Sequence, residues 1–168
     1  NTAPCVAWAG WRILQKDPDA NIVVTPSDAV ILNVSLFRTI ISEALSYTRD
    51  TDAIVTLGIV PNRPETGYGY VEVADSKMGN VHKVASFREK PNLETAKQYL
   101  EAGNYLWNAG IFVWNVRTLV ASIRQYVPQI SGQMDRMVPA DGKIGEPADT
   151  LFPVCEKISI DYAVMEKH

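Results

Sequence analysis

Glu89 and Lys90, adjacent in Phe87-Arg88-Glu89-Lys90-Pro91, are the pair of groups that a sugar phosphate needs. A carboxylate accepts hydrogen bonds from sugar hydroxyls, and an ammonium meets a phosphate as a point charge. Neighbours on a regular strand point to opposite faces, so both reach one pocket only if Pro91 and a local bend turn them together. The plainer alternative is a solvated surface pair. Gly67-Tyr68-Gly69-Tyr70 lets a backbone approach a ligand with no side chain between, and its tyrosines can lie against a sugar face; a simple turn reads the same way. Asn108, in Trp107-Asn108-Ala109-Gly110-Ile111-Phe112, puts an amide with donor and acceptor just before an apolar strand, unless it is only a turn former. Together these segments suggest a sugar-phosphate cradle.

Asp28, in Pro26-Ser27-Asp28, follows the apolar run Ile22 to Val24. At the end of such a strand a carboxylate can hold a hard cation that bridges phosphate oxygens, although a turn or cap is the commoner use of aspartate. Asp161 falls in the first turn of the last helical segment, where the dipole favours a negative charge without any chemistry. His82 sits in a strand and His168 is terminal, with no Ser-His-Asp or Cys-His context for a nucleophile. Trp8, Trp11, Trp107 and Trp114 read as core or interface residues.

The elements that must position these groups alternate along the chain. Thr2 can cap, and Pro4 tolerates the first turn of, a helix to about Leu14. Asn21 to Pro26 reads as a buried strand of parallel type, because its apolar run is continuous. Val34, Phe37, Ile41, Ala44 and Leu45 define a core-facing helix to Tyr47, capped by Asn33. Ala53 to Val60 is another strand. Val71 to Val73 and Val81 to Phe87 read as arms of a hairpin around residues 75–80. Asn92 caps a helix that Gly103 ends, Gly110 to Trp114 is a strand, and Asn115 caps the next helix. Residues 134–147 read as a loop between short helices, and Ser159 to Lys167 as a final helix. Strand, helix and strand in alternation imply an α/β layered fold with a mixed, mostly parallel sheet.

With 168 residues, 46% of them hydrophobic, one globular unit is expected. The net charge of -3 supplies no general attraction to nucleic acid or anionic lipid. Cys5 and Cys155 form no Cys-x-x-Cys motif, so a zinc knuckle, a redox pair and a disulfide framework are not indicated. No apolar stretch approaches membrane-spanning length, and a cytoplasmic setting without membrane or nucleic-acid partners is expected. A dinucleotide-binding dehydrogenase lacks its Gly-x-Gly-x-x-Gly after a strand.

Taken in order, Asn1-Thr2-Ala3-Pro4, Pro26-Ser27-Asp28, Arg63-Pro64-Glu65-Thr66-Gly67-Tyr68-Gly69-Tyr70, the Phe87 to Pro91 and Trp107 to Phe112 motifs, and Ser159-Ile160-Asp161-Tyr162-Ala163-Val164-Met165-Glu166 resemble bacterial mannose-1-phosphate guanylyltransferases. The resemblance covers nearly the whole chain. It implies the Rossmann-like fold of nucleotide-diphospho-sugar transferases, and a reaction in which GTP and mannose 1-phosphate give GDP-mannose and pyrophosphate with Mg2+ or another divalent cation. Asp28 resembles the family's metal-binding aspartate, Gly69 its backbone contact to sugar, Glu89 its hydroxyl acceptor, Lys90 its phosphate-holding cation and Asn108 another sugar-pocket residue. Asn1, Thr2 and Ser27 fall in segments that the family places near the nucleotide. A homo-oligomer is compatible with the resemblance. So are a thymidine, uridine or glucose variant and a non-catalytic regulatory module.

Two departures matter. Ala29 stands where the family usually has His after the metal-binding Asp. The family's Gly-rich Arg and Lys loop would precede Asn1, and its Trp-Ser-Asp-Val-Gly type segment would follow His168, so the expectation is the central and C-terminal part of one nucleotidyltransferase domain, incomplete at both ends. Such a polypeptide lacks the preorganised groups that stabilise the transition state. The 168-residue chain assayed alone is therefore expected to form little or no GDP-mannose; turnover near that of a complete homologue would contradict the expectation.

Overall fold

A computed structural model describes residues 1–141 and 145–167, without the side chains of residues 76–78. His168 lies outside the described residues. In chain order the elements are α1 (Thr2–Lys16), β1 (Asn21–Val24), α2 (Val34–Arg49), β2 (Val55–Ile59), β3 (Tyr70–Met78), β4 (Val81–Arg88), α3 (Leu93–Ala102), β5 (Tyr105–Asn115), α4 (Val116–Tyr126), α5 (Pro128–Met137) and α6 (Ala148–Leu151). A 3-10 turn at Phe152–Val154 and a wide-turned π-helix at Asp161–Met165 complete it.

The expected caps form where short polar side chains precede helices. Asn33 accepts from the Leu36 N–H at 3.0 Å, Asn92 from Thr95 at 2.9 Å and Asn115 from Arg117 at 2.8 Å. Thr2 does not cap α1. Asn1 occupies the cap position without a side-chain bond, while the Thr2 hydroxyl accepts from the Ile160 N–H at 2.9 Å. The segment expected as a loop from residue 134 is partly helical, since α5 runs to Met137.

The fold is α/β with an open sheet, but the ladders are not parallel. β5 pairs antiparallel with β1, β2 and β3, and β3 pairs antiparallel with β4. Val113 lies between Val23 and Val55, so β1 and β2 run the same way and are kept apart by β5. A continuous apolar run reports cover on both faces, and a strand inserted in the opposite direction preserves that cover. β1 itself is only half-buried. α2 shows its predicted face through Phe37, Ile41 and Leu45, half-buried beside buried Ala44, although Val34 is exposed.

Two cores hold β5 at its two ends. The larger packs Phe112 and Trp114 against α1, α4 and α5 through Trp11, Leu119, Ile123 and Ile130. The smaller gathers Tyr70, Ala96 and Trp107 with Tyr99 and Tyr105, whose rings stack at 4.0 Å. Trp8, by contrast, is 40% exposed and outside both cores. Trp114 is fully buried, so Trp114→Ala should cost about 3–5 kcal/mol in urea unfolding, against about 1 kcal/mol for loss of the exposed cap in Asn33→Ala. Similar costs for the two would place Trp114 outside the main core.

Candidate functional site

β5 breaks step with β2 between its two cores. Thr56 pairs with Phe112 but Gly58 with Asn108, so extra residues of β5 bulge out around Gly110, whose φ of 68° favours glycine. A bulge leaves ladder groups without partners, and the Asn108 side chain takes them up. Its Oδ1 accepts from the Gly110 N–H at 3.0 Å and from the Thr56 hydroxyl at 2.9 Å. Its Nδ2 donates to Asp161 Oδ1 at 3.0 Å, and its backbone N–H donates to the Gly69 carbonyl at 2.8 Å.

Gly69 packs against the Glu89 carboxylate. A Cβ on Gly69 would stand 2.5 Å from Glu89 Oε2, so a side chain there would force the carboxylate to move. Lys90 takes a φ of 45°, a left-handed conformation made harder by the proline after it and costing about 1–3 kcal/mol. This bend lets both charged neighbours line one cavity. Lys90 Nζ lies 3.3 Å from Glu89 Oε1, with the ammonium side chain 57% exposed and the carboxylate side chain only 9%. Glu166, from the last helical segment, accepts from the Glu89 N–H at 2.8 Å.

The cavity has a volume of about 490 Å3 and is lined by Gly69, Glu89, Lys90, Asn108 and Asp161, with Tyr68 and Trp107 as aromatic walls. Tyr68 meets Trp107 edge-on at 5.3 Å, and the Arg63 guanidinium sits 5.2 Å over the Trp107 ring. Glu65 organises the approach to it. Its carboxylate pairs with Arg63 at 3.1 Å and accepts from the N–H groups of Thr66 and Gly67, while its carbonyl accepts from the Tyr70 hydroxyl.

Burial raises the pKa of Glu89 above the ordinary carboxylate range, and the nearby charge of Asp161 pushes it the same way against the opposing pull of Lys90. Burial likewise raises Asp161, opposed by its hydrogen bonds, Asn108 among them, and by Lys90. Glu65 moves down, chiefly through the Gly67 N–H and Arg63. The cavity thus holds two carboxylates whose ionised forms are disfavoured beside one exposed ammonium.

Of the residues singled out in the sequence, Gly69, Glu89, Lys90 and Asn108 converge here. Ser27 and Asp28 lie on an exposed turn after β1, outside the cavity lining, although a Cβ on Gly110 would lie 3.4 Å from Pro26, which places that turn at the rim. Asn1 and Thr2 are exposed and do not line it. Among the described residues no group of three or more His, Cys, Asp or Glu side chains is arranged to hold a metal ion. Asp161, expected first as a helix-start charge and by the resemblance only as part of a motif near the site, lines the cavity with its carboxylate facing Asn108. Thr56, Arg63 and Trp107 also went unassigned to the site. Their parts depend on partners up to 52 residues away, which spacing alone does not reveal.

A nucleotidyl transferase family model matches residues 1–143. The chain belongs to the nucleotidyl transferase family. It is 35% identical to the mannose-1-phosphate guanylyltransferase of Escherichia coli strain K12 and 37% identical to that of Klebsiella pneumoniae, in each case over 99% of this chain. These alignments cover 37% and 36% of the two relatives, so the chain spans little more than a third of their length. Among solved structures, one described as mannose-1-phosphate geranyltransferase from Thermus thermophilus superposes with a TM-score of 0.88 at 29% identity, covering 99% of this chain and 47% of that one. One described as mannose-6-phosphate isomerase from Helicobacter pylori gives 0.84 at 26%, covering 100% and 65%.

In this member of the family, the raised carboxylates have a consequence for stability. Between the unfolded-chain pKa near 4 and their raised folded values, the native state binds more protons than the unfolded chain, so their contribution falls as pH rises through that window. Glu89→Gln and Asp161→Asn should each gain in melting temperature relative to wild type as pH rises from about 4 to 7. A wild-type-to-variant difference that is constant with pH would exclude titration of this pair.

Proposed function

We propose that the cavity holds the sugar 1-phosphate in a guanylyl transfer that joins mannose 1-phosphate to GTP, giving GDP-mannose and pyrophosphate. The observation that carries this reading is the convergence of Gly69, Glu89, Lys90 and Asn108 on one cavity, in a chain whose similar proteins bear the mannose-1-phosphate guanylyltransferase name. The exposed Lys90 ammonium meets the sugar phosphate, and the Glu89 carboxylate accepts from sugar hydroxyls. Gly69 lets the sugar approach the backbone. Tyr68 and Trp107 supply flat apolar surface for its C–H face.

The phosphate oxygen of the sugar attacks the α-phosphorus of GTP in line, an O–P bond forms, and pyrophosphate leaves with the electrons of the broken bond. No protein nucleophile is needed. Lys90 holds the attacking phosphate oriented, so the chain acts by positioning and by charge. Asn1, Thr2 and Ser27 are assigned to the nucleotide side. The exposed Asp28 carboxylate, with no ion pair among the described residues, suits Mg2+, which keeps several waters and takes few protein carboxylates. When bound there, the ion would neutralise charge on phosphate oxygens. A cytoplasmic setting is part of this proposal; separately, among the described residues no helix is long and apolar enough to cross a membrane.

The intact protein should make GDP-mannose from mannose 1-phosphate and GTP. Lys90→Ala should lower kcat/KM for the sugar phosphate by about 10- to 100-fold, with KM for GTP changed less than about twofold. Equal losses toward both substrates, or preference for another sugar phosphate in wild type, would contradict these assignments.

A further inference from the structure

We infer that Asp161 is a positioning residue that, with Thr56 and the bulge at Gly110, locks the Asn108 amide so that it meets the bound sugar as a hydrogen-bond donor only. The inference rests on the sugar-phosphate reading of the cavity. An asparagine amide has two acceptor sites on oxygen and two N–H groups on nitrogen. Both acceptor sites of Asn108 are used, one by the Gly110 N–H and one by the Thr56 hydroxyl. One N–H is used by Asp161, which leaves one N–H uncommitted on a residue that lines the cavity.

The alternative rotamer is closed. Exchanging O and N would set the amide nitrogen against the Gly110 N–H and the amide oxygen against the Asp161 carboxylate, donor on donor and acceptor on acceptor. The Gly110 N–H has no freedom to invert, because the bulge holds it, whereas the Thr56 hydroxyl can also turn to the Ile111 carbonyl at 3.4 Å. Gly110 and Asp161 therefore decide the orientation, and Thr56 reinforces it. Beside Glu89, which accepts when ionised, and Lys90, which only donates, a fixed Asn108 donor gives the pocket a definite pattern for neighbouring sugar oxygens.

Asp161 also lines the cavity, so a direct contact with sugar must be separated from positioning. In the intact protein, Asp161→Ala should weaken mannose 1-phosphate about tenfold or more, by KM and by calorimetric titration, with KM for GTP unchanged. Asp161→Asn, whose amide oxygen still accepts from Asn108, should stay within about threefold. In the Asn108→Ala background, Asp161→Ala should add less than about twofold. An equal penalty in both backgrounds, equal damage from Ala and Asn, or no effect at all would overturn the inference.

Side-chain amide NMR of the unliganded protein gives a readout that needs no sugar. The Asn108 resonances, identified by their loss in Asn108→Ala, should show restricted exchange that Asp161→Ala abolishes. If wild type fails to bind mannose 1-phosphate while this dependence holds, the ligand assignment is wrong and the lock stands. Unchanged Asn108 resonances in a folded Asp161→Ala would refute the lock.

Discussion

The hydrogen-bonding capacity of Asn108 is the constraint on which the site depends. Four pieces of chain meet at it: β2 through Thr56, the turn before β3 through Gly69, the β5 bulge through Gly110, and the last helical segment through Asp161. An unmet polar group in a half-buried place costs more than a made bond returns, about 1–3 kcal/mol against about 1. The four attachments are thus better understood as a requirement met jointly than as separate gains. The last segment is fastened in the same manner at two more points, by Thr2 to Ile160 and by Glu166 to the Glu89 N–H. Each bond brings a distant segment to the wall of one cavity.

Electrostatics there contribute little to the stability of the fold. A Lys90 side chain more than half exposed gains little from its pairing with Glu89, because water screens the attraction. Burial of Glu89 and Asp161 works against their charges, and the left-handed backbone at Lys90 adds strain. Under the proposed function, an arriving phosphate would change the balance by meeting the exposed Lys90 ammonium. Sugar hydroxyls would restore to Glu89 the hydrogen bonds that burial removed. Arg63, the other cation at the wall, is already engaged by Glu65 and stacked on Trp107, which assigns it to shaping the wall.

Local chemistry was legible in the sequence wherever a residue acts on its near neighbours. Asn33, Asn92 and Asn115 cap the helices that their positions announced, and Gly103 ends α3 in the left-handed conformation. The Glu89-Lys90, Gly69 and Asn108 motifs pointed to a common pocket because each places a polar or backbone-exposing group at the end of a strand-like run. Strand direction was not legible, since the apolar run of β1 is the same whichever way its neighbour travels. The tertiary use of Thr2, read as a cap, and of Asp161, read first as a helix-start charge, was hidden for a related reason. At a helix start either residue has an ordinary local use, and only tertiary contacts at sequence separations of 158 and 53 redirect their side chains.

The place of the site follows from how β5 is held. Its second half is fixed by Phe112 and Trp114 in the larger core, with Val113 between them also fully buried, while its first half rests through Trp107 on the smaller aromatic cluster with Tyr70 and α3. The ladder to β2 loses its register between these two anchors, so a joint forms from Ala109 to Ile111. A joint in a sheet exposes backbone groups that the ladder no longer satisfies, and polar side chains must approach to satisfy them. Those side chains keep spare hydrogen-bonding capacity at the bulge, as the second Asn108 N–H shows. An uninterrupted β5 would satisfy its own backbone and give neither Asp161 nor Thr56 a reason to converge there.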